Sequence, residues 1–258
     1  MEALALHGVL TGAGPLVVLL HPVGLDHRFW GMLPGVLAAE RRVLALDLAG
    51  HGQSPQVARP RSIEEYADDV AAAIVQAGGD PAEVVGLSFG GMIAQVLALR
   101  HPHLIGKLVP GGCGGTFAAE VRPMLQERGL AAERDGMAAV VPPTLERWFS
   151  TGFAGSVLGA VRERLLAQDV AGWSAGWHAI AGLDATPRLG QVRVPTLVIA
   201  GERDAATPAA ITEATVMRVI PGARLAVLPG APHMMQLECA EAYTRAVAGF
   251  LLGAGADA

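Results

Sequence analysis

The feature that most constrains the fold of this chain is a serine held between two glycines, in the stretch Gly86-Leu87-Ser88-Phe89-Gly90. An apolar β-branched run at residues 84–87 precedes the serine, and an apolar helical segment at residues 92–99 follows it. On such a strand-to-helix turn the serine is strained and presented outward, and the residues two before and two after it must be small. The free amide groups at the helix N-terminus then lie beside the hydroxyl, where they stabilise negative charge.

Short apolar runs of strand length recur along the chain and alternate with helical patterns. Continuous apolar runs suit the strands of a parallel sheet, which is buried on both faces. The runs lie at residues 16–20, 43–46, 84–87, 104–109, 194–201 and 225–228, and helical patterns at 31–40, 66–75 and 241–252. This alternation predicts an α/β fold in which ligands bind at the carboxyl ends of the strands. A capping box, Ser62-Ile63-Glu64-Glu65, predicts the start of the second helix.

The alternation stops between residues 117 and 184, where helical segments follow one another without a clear strand. The segments lie at residues 118–125, 145–149, 157–168 and 172–180. We therefore expect residues 1–116 and 185–258 to form the core and residues 117–184 to form an inserted helical domain. Three of the four tryptophans, Trp148, Trp173 and Trp177, lie in the insertion. A tryptophan offers a large apolar area and one donor, which suits the wall of a substrate cavity covering Ser88. The alternative is that the three rings form the small core of the insertion itself.

Composition excludes several kinds of partner. At 258 residues and 52% hydrophobic, the chain is long enough for one large domain with a buried core. A net charge of −5 with a single lysine argues against nucleic-acid binding. Two cysteines, no signal-peptide pattern and no apolar run of about 18 residues indicate a reducing compartment. We expect a cytoplasmic protein without membrane spans whose partner is a small molecule.

Two later loops supply the groups that a serine needs to act as a nucleophile. The hydroxyl needs a base, for which histidine is suited near neutral pH, and the histidine needs a carboxylate to fix its tautomer. His233 lies in the loop after the last predicted strand, and Glu202 and Asp204 follow the strand before it. The order serine, carboxylate, histidine predicts a triad built from Ser88, His233 and one of these two carboxylates.

These loops together resemble those of α/β-hydrolase-fold enzymes over nearly the whole chain. The resemblance rests on the loop near His21, the turn at residues 47–54, the nucleophile elbow, the acid loop and the histidine loop. It implies a mostly parallel central sheet flanked by helices, with a helical cap inserted after the sixth strand. It also implies that Ser88 is the nucleophile, His233 the general base and Asp204 the acid.

The same resemblance implies an oxyanion hole made of two backbone amides. These correspond to Phe89, directly after the nucleophile, and to Val23, because Pro22 has no N–H. Most relatives have His-Gly where this chain has His21-Pro22, and we interpret His21 as a structural residue bonded to backbone. The spacing of Cys, His, Asp and Glu contains no metal-ligand pattern, so we expect neither a metal nor another cofactor.

Within the family the chain is most similar to 3-oxoadipate enol-lactonases and related small esterases, on the stretches at residues 23–30, 86–92, 145–149 and 179–184. This implies hydrolysis of a carboxylic ester or lactone through an acyl-enzyme on Ser88. The insertion has six arginines against eight carboxylates and therefore no net positive field, which favours a neutral ester or lactone as the substrate. A carboxylated lactone would instead need one specific anchoring cation. Arg147 is the first candidate, and Arg134, His27 and Arg28 are alternatives.

Three other activities use the same residues. A cofactor-free perhydrolase of the haloperoxidase type has the same triad and is distinguished by peroxide-dependent halogenation in acetate buffer. A carbon–carbon bond hydrolase shares the triad as well. A hydrolase-fold receptor is distinguished by tight binding of a small molecule with negligible turnover.

Overall fold

The computed structural model describes residues 3–57, 60–78 and 81–253. A single sheet of seven strands forms the centre of the described chain. The strands are β1 (Gly8–Thr11), β2 (Leu16–Leu20), β3 (Arg42–Leu46), β4 (Ala82–Leu87), β5 (Ile105–Gly111), β6 (Leu197–Gly201) and β7 (Arg224–Leu228). Every strand predicted from an apolar run is present, with ends shifted by a few residues, whereas β1 was not predicted. The burial pattern explains the omission, because all four residues of β1 are exposed.

The spatial order of the strands is β1-β3-β2-β4-β5-β6-β7. β1 pairs with β3 in the antiparallel sense, and all the other pairs of neighbouring strands are parallel. The chain therefore starts at one edge with β1 and builds the half that contains β1, β3 and β2. From β4 onward it adds the remaining strands in sequence on the other side of β2. Loops that follow β2 and β4 lie next to each other at this change of direction, which is where ligands bind in sheets of this kind.

Alternate residues of the central strands enter two separate cores. Val18 and Leu20 pack on one face of the sheet, and Val17 and Leu19 pack on the other. Helices α1 (Leu33–Leu37) and α11 (Ala240–Leu252) cover the second face, while α2 (Ile63–Gln76) and α3 (Phe89–Arg100) cover the first. Both faces being covered explains why these strands are continuous apolar runs rather than alternating ones.

The sequence pattern that predicts the start of α2 is confirmed by side-chain hydrogen bonds. Ser62 accepts a hydrogen bond from the Glu65 N–H, and the Glu65 carboxylate accepts one from the Ser62 N–H, which completes the predicted capping box of α2. Short helices α8 (Thr186–Leu189), α9 (Ala209–Thr212) and α10 (Met235–Glu238) lie in the second half of the chain. No helix of the described residues is long and apolar enough to cross a bilayer.

Four of the helices between β5 and β6 form a helical insertion, by which we mean residues 117–184. They are α4 (Arg122–Asp135), α5 (Met137–Trp148), α6 (Ser156–Leu166) and α7 (Val170–Gly182). An isolated bridge between Thr116 and Asp184 joins the two ends of the insertion. The expectation that the insertion follows the sixth strand is wrong by one. That numbering needs two strands before β2, whereas the described chain has only β1 there. The insertion therefore follows the fifth strand.

Candidate functional site

Ser88 is held in a strained backbone conformation between β4 and α3. Its φ of 53° and ψ of −116° make it the only residue other than glycine with a positive φ in the described chain. The Ser88 N–H donates to the Gly111 carbonyl at 2.8 Å, which ties the turn to the neighbouring strand. Strain of this kind persists only where the surroundings fix it, and it is typical of functional turns.

The two glycines around Ser88 are required by close approaches of backbone to backbone. A Cβ on Gly86 would collide with the Gly90 carbonyl, and a Cβ on Gly90 would collide with the carbonyl of Leu20 on β2. Both residues have ordinary backbone angles, so the requirement comes from space rather than from φ. The prediction that small residues flank the serine at these positions is confirmed.

Asp204 and His233 form a buried pair beside this turn. His233 Nδ1 lies 2.7 Å from Asp204 Oδ2. The other carboxylate oxygen, Oδ1, accepts from the N–H groups of Ala206 at 2.8 Å and Thr207 at 2.7 Å. An ionised carboxylate in this position accepts a hydrogen bond from Nδ1–H, so the Nε2 atom of His233 is left as the basic nitrogen.

Glu202, the alternative acid, points elsewhere. Its side chain is exposed, and its Oε2 accepts a hydrogen bond from the Gly230 N–H at 2.7 Å. The two carboxylates thus have different partners although they lie two residues apart. Of the two, it is Asp204 that contacts His233.

The two amides expected to form an oxyanion hole have no partner in the described chain. Neither the Val23 N–H nor the Phe89 N–H donates to another described residue. Phe89 is the first residue of α3, where amides lack an intrahelical acceptor. Val23 is buried in the turn after β2, which is closed by a hydrogen bond from the Leu25 N–H to the Pro22 carbonyl. Unpaired amides at these positions are available to an anion.

His21 shapes the loop that carries Val23. Its Nε2 accepts from the Leu48 N–H at 3.0 Å, so Nδ1 carries the proton and donates to the Pro22 carbonyl at 2.7 Å. Burial lowers the pKa of His21 to about 4 and that of the neighbouring His51 to about 3, so both are neutral at pH 7. The interpretation of His21 as a structural residue agrees with these contacts.

Ser88 and His233 open into one small cavity of about 40 Å³, the Ser88 cavity. The sheet loops and the helical insertion both contribute to its lining, which includes Val23, Met92, Phe117, Leu125, Arg128, Trp148, Trp177, Ile180, Ala206 and Thr207. The ring of Trp148 lies 6.1 Å from the ring of His233. The Met234 N–H donates to the Trp148 carbonyl at 3.0 Å, which joins α5 to the loop that carries His233.

The three tryptophans of the insertion have different positions. Trp148 and Trp177 line the Ser88 cavity, whereas Trp173 does not. Trp173 packs edge-on against Trp177 at 5.7 Å, and its indole N–H donates to the Arg128 carbonyl at 3.0 Å. Trp173 lines the larger groove described next instead, so its contact with a substrate stays a prediction.

A larger groove of about 360 Å³ lies among α4, α5 and α7. Arg128, Trp148 and Trp177 line both this groove and the Ser88 cavity, so the two spaces are adjacent. Arg147 is exposed and lines the groove but not the Ser88 cavity. Arg128 is not among the residues predicted from the sequence. The sequence pattern that could have identified Arg128 is its spacing, because Leu125, Arg128 and Ala132 lie on one face of a helix.

The other candidate anchors are engaged within the protein. Arg28 pairs with Asp26 at 2.7 Å, and Arg134 pairs with Glu127 at 3.0 Å. His27 lies with its Nδ1 2.8 Å from the buried carboxylate of Asp47. None of these three side chains lines the Ser88 cavity.

The fold brings His7, His27 and Asp47 together, with their ligand atoms within 4.8 Å of one another. Asp47 already accepts from the backbone amides of His27 and Gln53 and contacts Nδ1 of both histidines. Burial by itself raises the pKa of Asp47, but these hydrogen bonds outweigh it and lower that pKa to about 2. Both carboxylate oxygens are occupied, so the cluster fits a hydrogen-bonded anchor of the turn better than a metal site.

A buried serine elbow, a carboxylate–histidine pair and unpaired amides at the ends of parallel strands define a hydrolase of the α/β class. Consistent with this, the model of the alpha/beta hydrolase family matches residues 17–246. The chain is 32% identical over 248 residues to the pimeloyl-[acyl-carrier protein] methyl ester esterase of Chromobacterium violaceum, covering 92% of this chain and 94% of that protein. It belongs to the alpha/beta hydrolase family.

Two further similarities involve enol-lactonases. The chain is 25% identical over 240 residues to 3-oxoadipate enol-lactonase 1 of Acinetobacter baylyi, covering 92% of this chain and 88% of that protein. The crystal structure of the enol-lactonase from Burkholderia xenovorans superposes with a TM-score of 0.90 at 30% identity, covering 96% of each chain. The expected resemblance to enol-lactonases and small esterases is confirmed, and esterase-type hydrolysis is the activity these relatives support.

Proposed function

We propose that this protein hydrolyses a carboxylic ester or lactone of a small molecule through an acyl-enzyme on Ser88. The observation that carries the proposal is the buried His233–Asp204 contact of 2.7 Å beside a cavity that Ser88 and His233 both line. A histidine whose Nδ1–H is held by a carboxylate presents Nε2 to a serine hydroxyl, which is the arrangement that activates a serine nucleophile.

In the acylation step, the Ser88 Oγ attacks the substrate carbonyl while His233 Nε2 takes its proton. The Asp204 carboxylate stabilises the imidazolium that forms. The carbonyl oxygen becomes an oxyanion, which accepts hydrogen bonds from the Val23 and Phe89 amides. When the tetrahedral intermediate collapses, His233 returns the proton to the leaving alkoxide, and Ser88 keeps the acyl group.

In the deacylation step, a water molecule takes the place of the alcohol. His233 removes its proton as it attacks the acyl-enzyme, the same two amides stabilise the second oxyanion, and the carboxylic acid leaves as Ser88 regains its proton. With a lactone the alcohol and the acid remain in one product.

The helical insertion acts in this proposal as a cap domain over Ser88. Leu125, Trp148 and Trp177 come from three of its helices and line the Ser88 cavity. A cavity of about 40 Å³ holds little more than the reacting group, whereas ligand pockets commonly measure about 300–1,000 Å³. The substrate therefore extends into the adjoining groove, with Trp148 and Trp177 in contact with it.

The test is a panel of p-nitrophenyl esters of graded acyl length, measured beside several lactones. We expect turnover on short or medium esters with an initial burst of p-nitrophenol, and covalent labelling of Ser88 by a fluorophosphonate. Ser88→Ala should reduce kcat on the order of 10³-fold or more without unfolding the protein. The exposed Ser156 is the matched control, and Ser156→Ala should leave kcat unchanged.

Two results would overturn the proposal. One is full turnover by Ser88→Ala, which would place the nucleophile elsewhere. The other is negligible turnover on every ester and lactone. In that case tight binding of a small molecule would indicate a receptor, and peroxide-dependent halogenation in acetate buffer would indicate a perhydrolase.

A further inference from the structure

Arg128, on α4, is a half-buried cation without an acidic partner. No carboxylate of the described residues lies within ion-pair distance of its guanidinium, and no described residue accepts a hydrogen bond from it. Its guanidinium lies over the ring of Trp177, with Cζ 4.7 Å from the ring centre. A partly desolvated arginine normally pairs with an anion, since burying an unpaired charge is costly.

The electrostatic surroundings of Arg128 add to this cost. Burial, followed by the charge of the nearby Arg147, lowers the pKa of Arg128 to about 10, which still leaves it protonated at neutral pH. The contact with Trp177 offsets part of the desolvation through a cation–π interaction, but an aromatic face accepts no directed hydrogen bond as a carboxylate does. The planar donors of the guanidinium thus remain unused.

The position of Arg128 connects this cation to the reaction site. It lines the Ser88 cavity and also the adjoining groove, where Arg147 is a second cation without an acidic partner in the described chain. The groove contains two carboxylates as well, Glu127 and Asp135, and both pair with Arg134. These negative charges disfavour a dianion in the groove and leave a site for a single negative charge.

We infer that Arg128 is a specificity-determining residue that binds a carboxylate of the substrate while the ester or lactone carbonyl lies at Ser88. Arg147 adds a weaker attraction from the exposed side of the groove. This inference rests on the proposed function and narrows the substrate to a monoanionic ester or lactone. It also replaces Arg147 as the main anchor, because Arg147 is exposed and does not reach the Ser88 cavity.

The test compares two esters with the same six-carbon acyl chain, p-nitrophenyl hexanoate and mono-p-nitrophenyl adipate, which differ by one carboxylate. Arg128→Gln should lower kcat/KM for the adipate ester about 10- to 100-fold, since charge-assisted hydrogen bonds are lost, and change the hexanoate ester less than about threefold. Arg128→Lys should restore only part of the difference, because an ammonium lacks the two-pronged geometry. Arg147→Gln should lower the adipate value about threefold.

Arg162 provides the matched control. It is an exposed arginine of the same insertion that lines neither space, so Arg162→Gln should leave both esters unaffected. Raising the ionic strength should weaken only the adipate reaction. Equal losses on both esters in Arg128→Gln, or wild-type values that do not differ between the two esters, would overturn the inference. Ser88-dependent turnover of the hexanoate ester would still support the proposed function.

Discussion

The loops at the carboxyl ends of the strands and the groove of the helical insertion hold their polar side chains in opposite ways. In the loops, Asp204 has partners for both carboxylate oxygens, and His233 is fixed by one of them. In the groove, Arg128 and Arg147 have no acidic partner in the part of the chain that is described. The first set is complete without a ligand, whereas the second lacks its counter-charge.

This difference is the one that the proposed function requires of the two regions. Groups that transfer protons need a geometry that does not depend on the substrate, so internal hydrogen bonds hold them in place. A group that selects a substrate must keep its donors free for it, at a cost in the unbound protein. Substitutions in the loops should therefore affect all substrates alike, and substitutions in the groove should affect them unequally.

The acid loop gives the largest expected effect. Asp204→Asn should lower kcat on the order of 10²- to 10³-fold for neutral and anionic esters alike, because an amide does not stabilise the imidazolium. Glu202→Gln is the matched control two residues away and should change kcat less than twofold. Steady-state kinetics on both esters measure this. Normal turnover in Asp204→Asn together with loss in Glu202→Gln would contradict the assignment.

Asp26 binds two arginines, Arg28 of the loop after β2 and Arg164 of the helical insertion, and so links the two regions being compared. Arg164 of α6 lies 2.7 Å from Asp26, with both side chains almost fully buried, and it also donates to the Leu25 carbonyl at 3.4 Å. Arg164→Gln should lower the free energy of unfolding by about 3 kcal/mol, because Asp26 keeps only an exposed partner. Since Leu25 belongs to the turn that carries Val23, kcat should fall for every ester.

Arg28 is the matched control for this prediction. It binds the same carboxylate from a side chain that is 63% exposed, so Arg28→Gln should cost less than about 1 kcal/mol. Urea unfolding at constant pH measures both values. Equal losses of unfolding free energy in the two variants would mean that burial of the Arg164–Asp26 pair adds nothing to stability.

The structure of the loops at the strand ends is more predictable from the sequence than that of the helical insertion. The strands, the serine elbow and the histidine loop follow from apolar runs, glycine spacing and residue order, all of which are local. Which carboxylate meets His233 depends on the path of the loop after β6, and the residues alone left Glu202 and Asp204 open. Arg128 was missed because its meaning depends on helix packing, which decides that Trp173 is covered and Trp177 reaches the cavity.

The neutral histidines of the loops predict a pH dependence of stability. His21 and His51 have native pKa values of about 4 and about 3, below the value of about 6.5 in an unfolded chain. The unfolded state therefore binds more protons below pH 6.5, and stability is lost as pH falls. Each histidine should remove roughly 2 kcal/mol by pH 5.

Urea unfolding between pH 7.5 and pH 5 checks this prediction. His178 is exposed, so His178→Gln should show the same loss of stability as the wild type. A free energy of unfolding that stays constant over this range would contradict the neutral state of the two buried rings.

The tryptophans give the smallest expected effect. Trp177→Phe removes the larger ring under Arg128 and should raise KM for the adipate ester about two- to tenfold, with a smaller change for the hexanoate ester. Trp173→Phe should alter stability but change the ratio of the two KM values less, because the Arg128 guanidinium lies over Trp177 and Trp173 lines only the groove. An equal change of that ratio in Trp173→Phe would contradict the division between the two rings.

The hydrogen bond from the Met234 N–H to the Trp148 carbonyl has a consequence for exchanging caps between relatives. Met234, the residue after His233, is bonded to the last turn of α5. A transplanted helical insertion that ends this helix differently would therefore shift the imidazole as well as the Ser88 cavity. Chimeras that keep the hydrogen bond between residues 148 and 234 should keep turnover while changing substrate preference. Chimeras that lose this hydrogen bond should lose turnover on all substrates.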